Sequence, residues 1–424
     1  MGVILLIITV TVEVGFCVWA LWTKEFHAKE KLVVRLGGSL ILTVGLLTGV
    51  LDGLFRYGGF LAVLLIQVLL CALYSYRGRK GKRAAKPFRK GGRIAVLIGN
   101  LALYLLILFP AILFPQYEEP RVTGTHEIAT AEYTWVDKSR VETYSDSGEN
   151  RELTVKFWYP SEEGTYPLIV FSHGAFGVID SNTSTCRELA SNGYVVASIG
   201  HTYQAMFVSN DSGKITTVDP DFINQVYEEN GTDTPEGEKI VYENSREWMK
   251  IRTGDENFVL DTILEKAAAG EEGPFAEVDS EKIGLFGHSM GGAASVEMGR
   301  ERNDIDAVID LEGTMFGEYV DFVDGAEVFN PEPYPIPVLD VNSADIDVQA
   351  RKVPGQGYVN FYLGEHAKDY QYEVVEGAGH LNFTDLPMVS PLLARFLGVG
   401  SVDAKDCIES VNSMVLEFFD AHLK

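Results

Sequence analysis

The sequence predicts a doubly wound α/β domain with a mostly parallel sheet, carried behind four membrane-spanning helices. Three observations lead there. Apolar stretches crowd the first 115 residues, near-continuous apolar strands alternate with helical segments after residue 150, and formal charge divides sharply between the two parts. Residues 1–115 hold 14 Lys/Arg against 4 Asp/Glu, whereas 116–424 hold 21 against 56, so a net of +10 faces a net of −35. A 424-residue chain that is 46% apolar and 22% charged is neither disordered nor a low-complexity scaffold. The acidic balance argues against nucleic-acid binding, which needs positive charge to displace counterions. Four cysteines are too few for a disulfide scaffold, and Cys17, Cys71, Cys186 and Cys407 read as buried free thiols.

The apolar stretches lie at about 2–22, 33–51, 54–75 and 93–115, each near the ~20 residues a helix needs to cross hydrocarbon. The first lacks a basic leader and is followed closely by a second, so it reads as a span and not a cleaved signal. YRGRKGKRAAKPFRKGGR (76–93) carries nine Lys/Arg and no acid. Such loops stay in the cytoplasm. Lys24, Lys29, Lys31 and Arg35 fall on the same side by parity, so everything after the fourth span is expected to face outward from the cell membrane. Glu13 lies mid-span with no second intramembrane acid or base to pair with, which speaks against transport. The spans read as an anchor over residues 1–115, followed by a tether at 116–130.

From 131 to 424 the chain reads as the α/β domain. Strand-like runs appear at 151–160, 166–174, 193–201, 281–289, 306–313, 336–343 and 370–380, with helical spacing at 181–192, 241–268, 290–302 and 403–423. Apolar strands between helices imply a sheet covered on both faces, with its ligand site at the strands' carboxyl ends. An insertion at about 202–240, rich in Asn, Asp, Gly and Glu, reads as a long excursion over that site.

GHSMGG (287–292) follows the apolar strand IGLF and opens a helical run. This strand–turn–helix setting is what a G-x-S-x-G nucleophile elbow requires. Gly287 and Gly291 let the backbone turn sharply, and Ser289 stands at a helix N-terminus that favours an anionic intermediate. The base must follow. His380 ends the run YEVVEGAGH and comes after Ser289 and every plausible acid, which is the chain order of α/β-hydrolases. His366 is the weaker candidate, and His173 reads as a scaffold hydrogen-bonder. The acid, which sets the imidazole tautomer and stabilises its charged form, is Asp310 at the end of AVID or Asp345 after VLDVNSAD; position does not separate them. Glu312 is a third and less favoured option. The oxyanion hole needs an N–H from the FSHGAFG loop (171–177) and one from the residue after the nucleophile, which are Ala175 and Met290. No cofactor or metal is expected, since no Cys/His cluster or close carboxylate set suggests one.

These segments together resemble the platelet-activating-factor acetylhydrolase family of α/β-hydrolases, especially its bacterial members. The likeness runs from about 130 to 398 through YTWVDKSR…RELTVKFWYP, FSHGAFG, GHSMGG, VIDLEGTMF and GHLNFTD. The resemblance implies an acid in VIDLEGTMF, favouring Asp310 over Asp345. It also implies His380 as base, FSHGAFG as the oxyanion loop, and a serine ester hydrolase acting on short-acyl or lipid esters. A peptidase or thioesterase on the same scaffold, or a non-catalytic membrane sensor, are the rival readings.

Overall fold

The computed structural model describes residues 1–79, 88–229 and 234–424. Residues 80–87 of the basic segment 76–93 and residues 230–233 of the insertion lie outside the described residues. The chain divides into two compact units, Met1–Glu118 with Met388–Phe396, and Glu119–Pro387 with Leu397–Lys424.

The first unit holds α1 (Gly2–Thr23), α2 (Ala28–Leu47), α3 (Leu54–Arg79) and α4 (Lys90–Leu113). Among the described residues three helices are long and apolar enough to cross a membrane: Gly2–Thr23, Leu54–Tyr76 and Lys90–Leu113. The expected second span is the exception. Its helix begins five residues before the apolar run 33–51, taking in Lys29, Glu30 and Lys31, and stops at Leu47. A further correction concerns Glu13, which does have a partner. Arg35 on α2 donates to Glu13 Oε1 at 2.5 Å, and Asn100 on α4 donates to Oε2 at 3.0 Å. Tyr104 completes the network by donating to Gln67 Oε1 on α3 at 2.7 Å. Each helix therefore contributes a polar group to one buried cluster, the arrangement that fixes helix–helix register where water cannot serve as a partner.

The second unit is built on one eight-stranded sheet. Its strands are β1 (Ile128–Val141), β2 (Asn150–Pro160), β3 (Tyr166–Ser172), β4 (Val195–Gly200), β7 (Val278–His288), β8 (Ala307–Leu311), β11 (Val338–Ser343) and β12 (Tyr370–Val375). Two hairpins lie outside that sheet, β5 (Phe207–Ser209) with β6 (Ile215–Thr217), and β9 (Tyr319–Val323) with β10 (Ala326–Phe329). The order across the main sheet is β1-β2-β4-β3-β7-β8-β11-β12. Only the β1–β2 and β2–β4 pairs are antiparallel; from β4 onward every pair is parallel. Strands β4, β8 and β11 are buried at every position, as expected of strands covered on both faces.

The helices of this unit are α5 (Thr183–Ser191), α6 (Pro220–Glu229), α7 (Pro235–Ala268), α8 (Met290–Glu301), α9 (Ala344–Ala350), α10 (Val359–His366) and a long helix at Ala404–Leu423. Thr234 caps α7 by accepting the Gly237 N–H, with Pro235 in the first turn. Leu168, Val170, Ala197, Leu285, Val308 and Val338 from five adjacent strands form the centre of the core with Val259 and Ile263 of α7. The insertion is more ordered than its composition suggests, since it holds the β5–β6 hairpin and α6. The amino-terminal end of the sheet also differs from expectation: β1 begins at Ile128, inside the predicted tether.

Candidate active site

Three neighbouring parallel strands deliver the chemistry. Gly287 pairs with Asp310 and His288 with Leu311 across β7 and β8, and Asp310 pairs with Asp340 across β8 and β11. Ser289 follows β7 directly at φ 55° and ψ −126°, a conformation that costs a non-glycine residue energy and presents its side chain sharply. Two glycines make the turn possible. A Cβ on Gly287 would lie 2.2 Å from the Gly291 carbonyl carbon, and one on Gly291 would lie 2.0 Å from Ser172 O. The Ser289 N–H donates to Leu311 O at 2.9 Å, tying the nucleophile turn to the end of β8.

His380 reaches the same place from the turn after β12. Its ring lies 4.5 Å from that of His288, whose Nε2 contacts His380 O at 3.0 Å. Burial, reinforced by His380, holds the His288 pKa well below the usual value, so His288 is a neutral hydrogen-bonder locked into the elbow. Ser289 Oγ makes no hydrogen bond among the described residues; without substrate, this contact is commonly loose in hydrolases.

The carboxylate on the imidazole is Glu312, not Asp310. Glu312 Oε2 stands 2.7 Å from His380 Nδ1, and Oε1 accepts the Ser343 N–H at 2.7 Å. Glu312 leaves β8 at φ 56°, with its own N–H on Val341 O at 2.8 Å. That left-handed step carries it out of the strand, and its extra methylene extends the reach. Asp310 stays inside. Its Oδ1 accepts the Gly313 N–H at 2.9 Å, and Asn360 Nδ2 bridges it to Asp340. Burial, then repulsion from Asp340, pushes the Asp310 carboxyl well above the carboxylate range. Asp345, the other expected acid, is exposed in the first turn of α9. His366 is engaged elsewhere, stacking on Tyr362 and contacting its carbonyl.

The loop after β3 supplies the opposite wall. A Cβ on Gly174 would approach Ser289 Cβ to 3.0 Å, so this loop lies directly against Ser289. The Phe176 N–H goes to Gln204 O and the Gly177 N–H to Gly174 O, at 3.0 Å each. Among the described residues neither the Ala175 nor the Met290 N–H has an acceptor. Two such N–H groups beside a strained serine are the kind of donors an oxyanion hole uses.

A family model described as platelet-activating factor acetylhydrolase, isoform II, matches residues 120–266 and 272–424. The chain belongs to this family. It is 24% identical over 287 residues to the platelet-activating factor acetylhydrolase of Gallus gallus, covering 61% of this chain and 62% of that one. The Cavia porcellus acetylhydrolase is 22% identical over 267 residues, covering 61% and 58%. The chain thus spans about three fifths of the length of these curated relatives. Among solved structures it is similar to a ferulic acid esterase from Streptomyces cinnamoneus, with a TM-score of 0.53, 25% identity, and 72% of this chain and 92% of that one covered.

This family member also carries features that its sequence did not announce. Ser172 Oγ, His201 Nε2, His201 Nδ1 and Asp255 Oδ2 form a chain with 2.9 Å at each contact, and Arg151 grips Asp255 with two nitrogens. It imitates a catalytic triad but is wholly buried, so no substrate reaches it. Burial, then Arg252, lowers the His201 pKa to about 3, keeping the ring neutral. Burial alone would raise Asp255; the Arg151 guanidinium outweighs it and holds the carboxylate far below its usual range. His173 is buried as the scaffold reading expects, with Nδ1 at 2.7 Å from Gly174 O. Met290 and Ala175 join an aromatic cluster of Phe176, Phe222, Trp248 and Phe316. Phe222 comes from α6, so the insertion packs into the same cluster as Met290. The Ser172–His201–Asp255 chain and the Phe222 packing join residues far apart in sequence, so no local pattern flagged them.

Proposed function

We propose that this chain is a membrane-anchored serine esterase acting on short-acyl or lipid esters. Ser289 is the nucleophile, His380 the general base and Glu312 the acid that orients it. The observation that carries this reading is the His380–Glu312 contact, set at the same strand ends as the strained Ser289 turn. His380 Nε2 takes the Ser289 proton as Oγ attacks the ester carbonyl. Glu312 holds Nδ1–H, so that Nε2 keeps its lone pair toward the serine and the imidazolium is stabilised as it forms. The Ala175 and Met290 N–H groups receive the oxyanion. His380 then protonates the departing alcohol, and water attacks the acyl-enzyme by the same base catalysis. The names of the relatives support an acetyl or other short acyl group on a phospholipid, among them a probable 1-alkyl-2-acetylglycerophosphocholine esterase of Arthroderma benhamiae, 25% identical over 171 residues and covering 40% of this chain and 36% of that one. The basic segment 76–93 and the apolar helices support a catalytic unit facing outward from the cell membrane.

The test is hydrolysis of p-nitrophenyl esters from acetyl to palmitoyl by the detergent-solubilised full chain, with Ser289→Ala as control. Serine-dependent turnover greatest at short chains is expected. A maximum at long chains reassigns the enzyme as a lipase. Turnover that Ser289→Ala leaves unchanged, or none at all, removes ester hydrolysis and leaves the peptidase, thioesterase or sensor readings.

A further inference from the structure

The loop that carries Ala175 is held from behind by a buried cation. Arg252 lies on α7, is fully buried, and donates Nη1 to His173 O at 2.5 Å, Nη2 to Gly174 O at 3.5 Å and Nε to Gln204 Oε1 at 2.5 Å. Gln204 in turn receives the Phe176 N–H on its backbone oxygen at 3.0 Å. We propose that Arg252 is a positioning residue for the oxyanion hole, holding the 173–177 loop so that the Ala175 N–H is presented to the developing oxyanion. The proposal rests on the esterase reading given above.

The physical reason lies in one peptide unit. Gly174 C=O and Ala175 N–H belong to the same planar trans amide, so they point in opposite directions. Gly174 O is drawn by three donors: the Gly177 N–H at 3.0 Å, His173 Nδ1 at 2.7 Å and Arg252 Nη2. Whatever fixes that oxygen away from the site fixes Ala175 N–H toward it. The guanidinium suits this task because its planar fork serves two successive carbonyls and a side-chain amide at once, which an ammonium does not. Its charge also polarises the amide in the sense that strengthens the N–H as a donor. No hydrogen-bonded carboxylate neutralises Arg252 among the described residues; Asp255 is held by Arg151, His201 and Arg140 instead. The cation is thus left to the loop.

The experiment compares Arg252→Gln, Arg252→Lys and Gln204→Ala with wild type in the detergent-solubilised full chain. Two quantities are read: kcat and KM on p-nitrophenyl acetate, and the rate at which a fluorophosphonate probe labels Ser289. The probe's phosphoryl oxygen occupies the same hole as the oxyanion, so its rate reports the donors directly. Loss of a whole oxyanion donor costs about 100- to 1,000-fold. A misaligned one should cost less. Arg252→Gln is expected to lower kcat and the labelling rate together by about 10- to 100-fold, with KM within twofold. Arg252→Lys should recover part of both. Gln204→Ala, which leaves the cation in place but frees it to turn, should lower both by about threefold. Folded Arg252→Gln with unchanged kcat and labelling overturns the proposal, as does a drop that near-UV circular dichroism traces to a smaller folded fraction with Gln204→Ala unaffected. If Arg252→Gln does not fold, Gln204→Ala decides: parallel loss supports the role and no loss overturns it. Wild type that neither labels at Ser289 nor loses turnover in Ser289→Ala fails earlier, at the esterase reading itself.

Discussion

Glu312 Oε2 sits 2.7 Å from His380 Nδ1, with the carboxylate almost wholly buried at 2% exposure and the imidazole 45% exposed. The other Glu312 oxygen accepts the Ser343 N–H, so the carboxylate is held from both ends. In the proposed mechanism Glu312 keeps its place while His380 passes a proton between serine and leaving group.

Glu312→Gln is therefore expected to cost kcat on the order of 100- to 10,000-fold, because an amide can present the wrong partner to Nδ1 and cannot stabilise the imidazolium. Asp310→Asn is expected to stay within about threefold of wild type. Burial and Asp340 push its carboxyl up, and an amide reproduces its size and its acceptor for Gly313 N–H. Steady-state kinetics on p-nitrophenyl acetate separates the two, and the opposite ranking would return the role to Asp310.

The contrast between these two acids shows what a chain of letters reveals. The sharp turn at Ser289 and the place of His380 just past the last strand were legible because Gly287 and Gly291 mark a turn after a buried strand and because His380 closes the last strand run. The strands themselves were legible where apolar runs are continuous, as in VVASIG and VLDVNS. Strand β1 was not, because much of it is exposed and no continuous apolar run marks it. Choosing Glu312 over Asp310 required knowing where β8 ends and turns left-handed, and that turn is fixed by Val341 O and Ser343 N–H on another strand. Arg35 likewise looked like a loop charge until α2 began early enough to bring it to Glu13.

Stability should fall as pH rises, through Glu256. Burial, the largest influence, pushes its carboxyl up to about 8 despite the neighbouring Arg252. In the unfolded chain it ionises near the ordinary ~4.3. Between those values the folded state holds a proton that the unfolded state has lost, so raising pH favours unfolding, by at most about 1.4 kcal/mol per pH unit for one group. Glu256→Gln removes this term. Its Tm should match wild type near pH 4 and exceed it increasingly from pH 5 to 8. A Tm difference that is constant across that range would assign the effect to packing and not to the proton.

In the helical unit, the Glu13–Arg35 contact at 2.5 Å predicts strong non-additivity. Glu13→Gln leaves a cation unpaired among α1, α2 and α4, and breaking a buried pair from one side costs about 3–5 kcal/mol in water-soluble proteins. Replacing both, as Glu13→Gln with Arg35→Gln, leaves amides that can bond each other and Asn100. Thermal unfolding in detergent, followed by Trp19 and Trp22 fluorescence, should show a large loss for the single variant and recovery of most of it in the double. Equal losses that simply add would mean the pair contributes nothing to helix assembly.

The aromatic wall beside the oxyanion donors predicts which residue limits acyl length. Phe222 is fully buried and packs on Phe176, with ring centroids 5.5 Å apart, and edge-on to Trp248 at 6.0 Å. Phe176 neighbours Ala175 in the chain, and Met290 lies in the same cluster, so a side chain removed here opens space next to the proposed oxyanion donors. Phe222→Ala is expected to raise turnover of hexanoyl and octanoyl esters relative to acetyl by several-fold, while acetyl turnover falls modestly as the wall loosens. The cost in stability should be about 3–5 kcal/mol, the usual range for a buried Phe cut to Ala. Phe222→Leu, which keeps most of the volume, should retain the fold and shift the profile less. A chain-length profile identical to wild type in both variants would place the acyl chain elsewhere, and α6 would then be packing support and not part of the pocket.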